Sequence, residues 1–285
     1  MERGLAPAKV NLALKVTGRR ADGYHLLDSL VCFTDLGDRL TAFPAETLSL
    51  AVEGPFSEGV PTDDSNLVLR AAGALARARG VTAGARITLS KMLPHAAGIG
   101  SASSDAAATL RLLAEFWSVA PLPPGSEAVQ ALGADVPVCL AAPRPRRMRG
   151  IGETLQDPPL LPNAGLVLVN PGAELPTAKV FAALERTEGH ALRLPSGGWP
   201  DAAALAEWIE AEGNDLLDPA RKLAPEIDAA LARLKRLPQV LGVTMSGSGA
   251  TCVGITRDLG HARQVARAIQ LAEQSWWVAP AAILR

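Results

Sequence analysis

Apolar and polar positions alternate cleanly over residues 8–16: Val10, Leu12, Leu14 and Val16 fall on one face, and Lys9, Asn11, Ala13 and Lys15 on the other. A period of two predicts a strand. Residues 26–33, 39–43 and 48–52 are predicted as further strands, separated by turn-forming residues. Over 66–78, Ala, Leu and Val recur at helical spacing, with Asp64 and Ser65 placed to cap the helix. Residues 86–89 read as a strand leading into a run of small residues, and a helix is expected over 103–116. A proline-rich break at 121–124 precedes a short helix near 126–132, and the apolar run 136–141 reads as a buried strand with Asp135 just before it.

The second half continues with a strand over 166–169 and a helix capped by Thr177 that carries Phe181 and Leu184. Helices are expected over 202–212 and 219–234. A hairpin-like pair, 241–245 and 250–255, encloses Ser246-Gly247-Ser248-Gly249. A helix over 259–272 and two short strands near Trp277 and Ile283 follow. Strands and helices in segregated groups predict an α+β fold. Arg144, Arg146, Arg147 and Arg149, interleaved with Pro143 and Pro145, read as a solvated loop and as the boundary between two domains, 1–149 and 150–285.

Composition narrows the partners. With 285 residues, a net charge of −1 and a pI of 6.4, nothing points to nucleic acid or an anionic membrane. Cys32, Cys139 and Cys252 are scattered without CxxC spacing, which argues against a disulfide framework or a zinc site and leads us to expect a reducing, cytoplasmic setting. No apolar signal segment or membrane-length run is seen. The composition is compatible with a monomer or a homodimer.

The candidate chemistry begins at residues 94–108, Pro94-His95-Ala96-Ala97-Gly98-Ile99-Gly100-Ser101-Ala102-Ser103-Ser104 and then Asp105 and three alanines. A stretch so poor in side chains brings backbone N–H groups close to a bulky anion, and the helix after it aims the positive end of its dipole there. Asp105, in the first helical turn, suits that dipole. No Gly-Lys-Ser/Thr closes the run, so it is not a Walker loop, and the third glycine of a dinucleotide fingerprint is missing. Three further features stand out: Lys9 and Asn11 on the polar strand face, Asp135 at the mouth of an apolar segment, and the Ser246–Gly249 turn. Taken singly, each has an ordinary structural reading as an exposed strand face, a turn or cap residue, and a hairpin connection.

Their order is more specific. A lysine strand near the start, a P-x-x-x-G-x-G-S-x-S-S loop near residue 100 and a late S-G-S-G turn resemble the GHMP kinase superfamily over nearly the whole chain. A-K-V-N-L-A-L-K-V-T-G-R-R-A-D-G-Y-H-L-L at 8–27, D-L-G-D at 35–38, L-G-A-D-V-P at 132–137, G-I-G-E at 150–153, N-P-G-A-E-L-P-T at 170–177 and N-D-L at 214–216 resemble, within it, the 4-diphosphocytidyl-2-C-methyl-D-erythritol kinases. The resemblance implies a two-domain fold with a ribosomal-protein-S5-like N-terminal domain and a ferredoxin-like C-terminal domain. It also implies transfer of a phosphoryl group from ATP, with Mg2+, to the 2-hydroxyl of the cytidylated methylerythritol in the non-mevalonate isoprenoid pathway.

Residue roles follow from the same resemblance. Asp135 would face the acceptor hydroxyl and take its proton, with Lys9 keeping that carboxylate ionised and offsetting charge on the transferred group. Residues 94–104 would wrap the ATP phosphates, Ser103 and Ser104 donating with the helix N-terminus. Tyr24 would stack on the cytosine with Phe181 opposing it; His25 would bond the polar edge of the base, and Asn11 the methylerythritol hydroxyls. Thr177 belongs to the acceptor side. No metal ligands are assigned. The loop departs from the family in one respect, reading Ser101-Ala102 where many members carry Gly-Gly, and Ala102 reaches positive φ less readily than glycine.

Overall fold

The computed structural model describes residues 2–185 and 188–284. In chain order these form β1 (Glu2–Arg19), β2 (His25–Ala45), β3 (Ser49–Glu53), α1 (Leu67–Arg79), β4 (Gly84–Ser90), α2 (Ser101–Phe116), α3 (Glu127–Gln130), α4 (Val136–Leu140), β5 (Arg146–Gly150), β6 (Thr154–Gln156), β7 (Gly165–Asn170), α5 (Thr177–Ala182), α6 (Ala202–Glu212), α7 (Leu217–Leu223), α8 (Glu226–Lys235), β8 (Val240–Met245), β9 (Cys252–Thr256), α9 (Leu259–Ala272) and β10 (Trp277–Ala282). They divide into two compact units that are discontinuous in sequence. One is drawn from Met1–Lys9, Leu36–His95 and Gly100–Ala142, the other from Val10–Asp35, Ala96–Ile99 and Pro143–Arg285. No helix among the described residues is long and apolar enough to cross a membrane.

In the first unit, β3 runs parallel to β4, and β4 pairs antiparallel with Arg39–Ala45 of β2. α2 packs on α1 and α4, and its Leu110, Leu112 and Leu113 are buried, as are Val68 and Leu75 of α1 and Ile87 and Leu89 of β4. The cap of α1 is Asn66, whose Oδ1 accepts from Val68 N at 2.8 Å; Asp64 and Ser65 do not fill that place. The apolar run after Asp135 is helix α4, not the expected strand. Short apolar runs fit either state, and Pro137 favours a first helical turn because its missing N–H has no partner to lose there.

The second unit holds an antiparallel sheet in the order β10-β7-β9-β8. Its helices α6, α8 and α9 pack on the strands, enclosing a core that includes Val167, Val169, Met245, Cys252, Ile227, Leu234, Val265 and Ile269. Leu27–Val31 of β2 pairs antiparallel with β5, and β5 with β6.

Here several expectations are corrected. The basic run is not a solvated loop: its second half is strand β5, and Arg147 grips the buried Asp28 with Nε and Nη2 at 2.8 and 2.6 Å. The strands expected at 26–33 and 39–43 are one strand, β2. The D-L-G-D residues between them serve as anchors: Asp35 accepts from Ala282 N in the second unit, and Asp38 from Met92 N and Leu93 N in the first. The helix expected at 219–234 is broken into α7 and α8 at Ala224-Pro225, since proline disfavours helical geometry in the residue before it. Thr177 is not a cap, because Pro176 holds that position, and Leu184 lies beyond α5. The two short C-terminal strands are the single strand β10, with Ile283 making only a bridge to Thr34.

Candidate active site

Lys9 and Asn11 do not lie on an exposed strand face; they are 4% and 1% exposed. A buried lysine needs a partner, and in the first unit Lys9 Nζ lies 2.9 Å from Asp135 Oδ2. The ammonium is buried while the carboxylate is half-exposed, so Asp135 keeps a face open to a reactant. It stands at the N-cap of α4 but caps nothing, which leaves its oxygens for other partners. Gly100 brings the start of α2 against this pair. Its φ is +62°, and a Cβ there would come within 2.9 Å of Lys9 Cε, so both backbone and space require glycine.

Helix α2 starts at Ser101, two residues earlier than expected, with Gly100 as its N-cap. Ser101 and Ala102 are therefore helical and need no positive φ; that conformation falls on Ala96, Gly98 and Gly100. The departure from Gly-Gly thus sits where a Cβ is tolerated. Because Gly100 has no side chain to cap the helix, the first-turn N–H groups are not met by one, and the positive end of a 16-residue helix is left without a side-chain cap, an arrangement suited to an anion. The hydroxyls divide unevenly. Ser104 is buried and donates to Pro7 O at 2.7 Å. Ser101 donates to Asp38 Oδ2 at 2.8 Å and also meets Lys91 Nζ. Ser103 stays partly exposed. Pro94 is partly buried, while His95 and Ala96 are exposed.

Asp105 is not a surface residue suited to the dipole. It is 3% exposed, its Oδ2 lies 2.8 Å from Lys91 Nζ, and burial pushes its carboxyl up to about 7.

In the second unit, residues 96–99 rest on the Ser246–Gly249 turn. Thr251 N donates to Ala97 O at 3.2 Å, and Ser246 Oγ donates to Gly98 O at 2.8 Å. Gly98, at φ +73°, lies so close that a Cβ would stand 2.4 Å from Ser246 O. Ser246 Oγ also accepts from Asn11 N at 3.1 Å, so one hydroxyl ties strand β1 to the loop. The Asn11 amide is set by Ser29: Nδ2 donates to Ser29 Oγ at 2.7 Å, and Ser29 in turn donates to Ala13 O. Asn214 Nδ2 donates to Met245 O and Gly247 O, holding the turn itself.

Tyr24 closes the β1–β2 hairpin, its carbonyl accepting from Arg20 N at 2.8 Å, and the residue is 59% exposed. His25 and Phe181 stack with centroids 5.0 Å apart and planes 23° from parallel. Burial, and then the nearby Arg19, holds the His25 imidazole below its usual value, so it is neutral at neutral pH. Thr177 Oγ1 lies 2.8 Å from Ser248 Oγ, joining α5 to the turn. The structure therefore groups Lys9 with Asp135, Asn11 with residues 96–99, His25 with Phe181, and Thr177 with Ser248.

Sequence reasoning did not single out Ser29, Asn214, Asp38 or Lys91. Asp38 and Asn214 lie inside the quoted D-L-G-D and N-D-L motifs, which was the available signal.

Two family models match the chain: GHMP kinases N terminal domain over residues 66–142, and GHMP kinases C terminal over 190–273. A 4-diphosphocytidyl-2-C-methyl-D-erythritol kinase from Jannaschia sp. (strain CCS1) is 51% identical over 283 residues, covering 99% of this chain and 98% of the relative. A crystal structure of a 4-(cytidine 5'-diphospho)-2C-methyl-D-erythritol kinase shares 35% identity at a TM-score of 0.76, over 98% of this chain and 99% of that one. A homoserine kinase from Cytophaga hutchinsonii, 16% identical at a TM-score of 0.67 over 100% of this chain and 95% of that one, shares the fold alone. The chain belongs to the GHMP kinase superfamily and, within it, to the 4-diphosphocytidyl-2-C-methyl-D-erythritol kinases.

Proposed function

We propose that this chain transfers the γ-phosphoryl group of ATP to the 2-hydroxyl of 4-diphosphocytidyl-2-C-methyl-D-erythritol, giving the 2-phosphate and ADP in non-mevalonate isoprenoid biosynthesis. The observation that carries the reading is the Lys9–Asp135 pair at 2.9 Å beside Gly100 and the open N-terminus of α2, in a chain 51% identical to such a kinase over its full length.

Phosphoryl transfer runs through a loose transition state, so positioning and charge compensation dominate. Asp135 orients the acceptor hydroxyl and takes its proton; Lys9 offsets the negative charge that grows on the transferred group. ATP would bind as its Mg2+ complex, the cation offsetting charge on the phosphates. Among the described residues, no group of three metal-ligating side chains lies together. Residues 94–104 take the phosphates, with Ser103 as the accessible hydroxyl and Ser104 holding the helix start.

On the acceptor side, the cytosine stacks on Tyr24 with Phe181 opposing. Neutral His25 bonds its polar edge, Asn11 holds the methylerythritol hydroxyls, and Thr177 completes the contact set. The division at 149/150 is retained as a proposal for the functional domains. The cytoplasm is the proposed setting, in keeping with three buried free thiols.

The test is ADP release with the cytidylated methylerythritol, mevalonate and homoserine as competing acceptors. Turnover with the first is expected; turnover with mevalonate or homoserine alone overturns the assignment.

A further inference from the structure

One buried ionic network in the first unit is not used by the chemistry above. Lys91 Nζ, just after β4, meets Asp38 Oδ2 of β2 at 2.5 Å, Asp105 Oδ2 of α2 at 2.8 Å, and Ser101 Oγ. All four side chains are buried. With both carboxylates ionised the network carries one uncompensated negative charge out of water, next to the helix end that receives a polyanion.

The two carboxylates are not equivalent. Asp38 accepts four donors: Lys91 Nζ, Ser101 Oγ, Met92 N and Leu93 N. Among the described residues, Asp105 accepts from Lys91 alone, and its buried Oδ1 has no hydrogen-bond partner. Donors to a carboxylate favour its ionised form, so the carboxyl with fewer donors is the one that binds a proton.

We propose that Asp105 is the proton-binding member of this network, a positioning residue whose ionisation weakens ATP binding by placing a negative charge beneath the first turn of α2. The proposal rests on the kinase reading above. Burial pushes its carboxyl up to about 7, within the range where the enzyme would work. Below that pH the network is neutral and Lys91 is shared with one anion; above it, the added charge opposes the incoming phosphates.

The surrounding groups do not supply a rival titration there. From α4, the Cys139 thiol faces the same region and is pushed up to about 12, so it stays neutral. From β1, Lys9 is paired with Asp135. From α1, Arg70, Arg77 and Arg79 are exposed. On α2 itself, Arg111 donates to Cys139 O and Leu5 O, and Glu115 lies ten residues from Asp105.

The experiment measures KM for MgATP and kcat between pH 6 and 8.5 for the wild-type enzyme and Asp105→Asn, which keeps the shape of the neutral carboxyl. In the wild type, KM for MgATP rises on the order of tenfold through about pH 7. In Asp105→Asn it stays near the wild-type low-pH value. A wild-type KM flat in pH, or an unchanged rise in the variant, overturns the proposal while wild-type turnover leaves the kinase reading standing.

Should the variant not fold, calorimetry of MgATP binding to the wild type in buffers of differing ionisation enthalpy decides the matter. Proton uptake is expected near pH 7, fading at pH 5.5 and 8.5. No uptake near pH 7 overturns the proposal. Absence of ADP formation by the wild type at every pH would instead remove the kinase reading.

Discussion

At the scale of single residues, the site is organised by what each buried charge must find. Lys9 is buried and meets Asp135, leaving the carboxylate half-exposed where an acceptor hydroxyl can reach it. Asp135→Asn should lower kcat roughly 10²–10⁴-fold while leaving ATP binding nearly intact, because the amide cannot take the proton. Single-turnover kinetics with a separate ATP-binding titration check this, and near-normal turnover would remove Asp135 from its role. Asp105 leads to a stability prediction of defined sign. Its folded carboxyl, at about 7, lies above its ordinary value near 4, so the folded state holds the proton more tightly over that interval. The resulting stability is fully present below about pH 4 and is lost as pH rises through 7. At pH 8 Asp105→Asn should therefore exceed the wild type by a few kcal/mol in denaturant melts, with the gap closing toward pH 5. A gap that widened on acidification would contradict the assignment.

At the scale of elements, strand β5 shows how a charged sequence becomes internal structure. The basic run looks like a solvated loop until Asp28 on β2 is considered. That carboxylate is 1% exposed, and it accepts from Arg147 through both oxygens and from Leu192 N. Arg147→Met strands Asp28 without its main cation, since Arg149 Nε stays 3.9 Å away. The expected loss is about 3 kcal/mol in equilibrium unfolding, and a paired Asp28→Leu change should recover most of it. No change in Arg147→Met would show the pair to be energetically idle. Helix α4 illustrates the converse. Its Val-Pro-Val-Cys-Leu sequence carries no helical periodicity in five residues, and packing on α2 decides the outcome.

For the whole molecule, the kinase reading, in which Tyr24, His25 and Phe181 hold the base, predicts that cytidine diphosphate alone is a ligand. At a concentration about 100-fold above its Kd it should stabilise the fold by ~2.7 kcal/mol, visible as a rise in Tm, whereas mevalonate leaves Tm unchanged. Equal shifts with both, or none with cytidine diphosphate, would contradict the nucleobase site. The α+β class, the helices at 202–212 and 259–272, the hairpin around Ser246–Gly249 and the pairing partners Lys9 and Asp135 were legible in the sequence. Each rests on a local signal: a periodicity, a cap, a glycine-rich turn, or a motif whose order matches a family. The continuity of β2, the helical state of 136–140, the strand within the basic run and the burial of Asp105 were not legible. Each depends on partners distant in sequence, such as Asp28 for Arg147 and Lys91 for Asp105. By itself, the sequence determined the chemistry available: a run of small residues leading into a helix, a lysine and an aspartate, and the aromatic residues Tyr24 and Phe181. Only the tertiary structure decided which of those groups are buried, which donors each carboxylate receives and where helix α2 begins. The physical reason is that desolvation and hydrogen bonding are set by neighbours in space, and those neighbours lie 14 residues apart for Lys91 and Asp105 and 119 for Arg147 and Asp28.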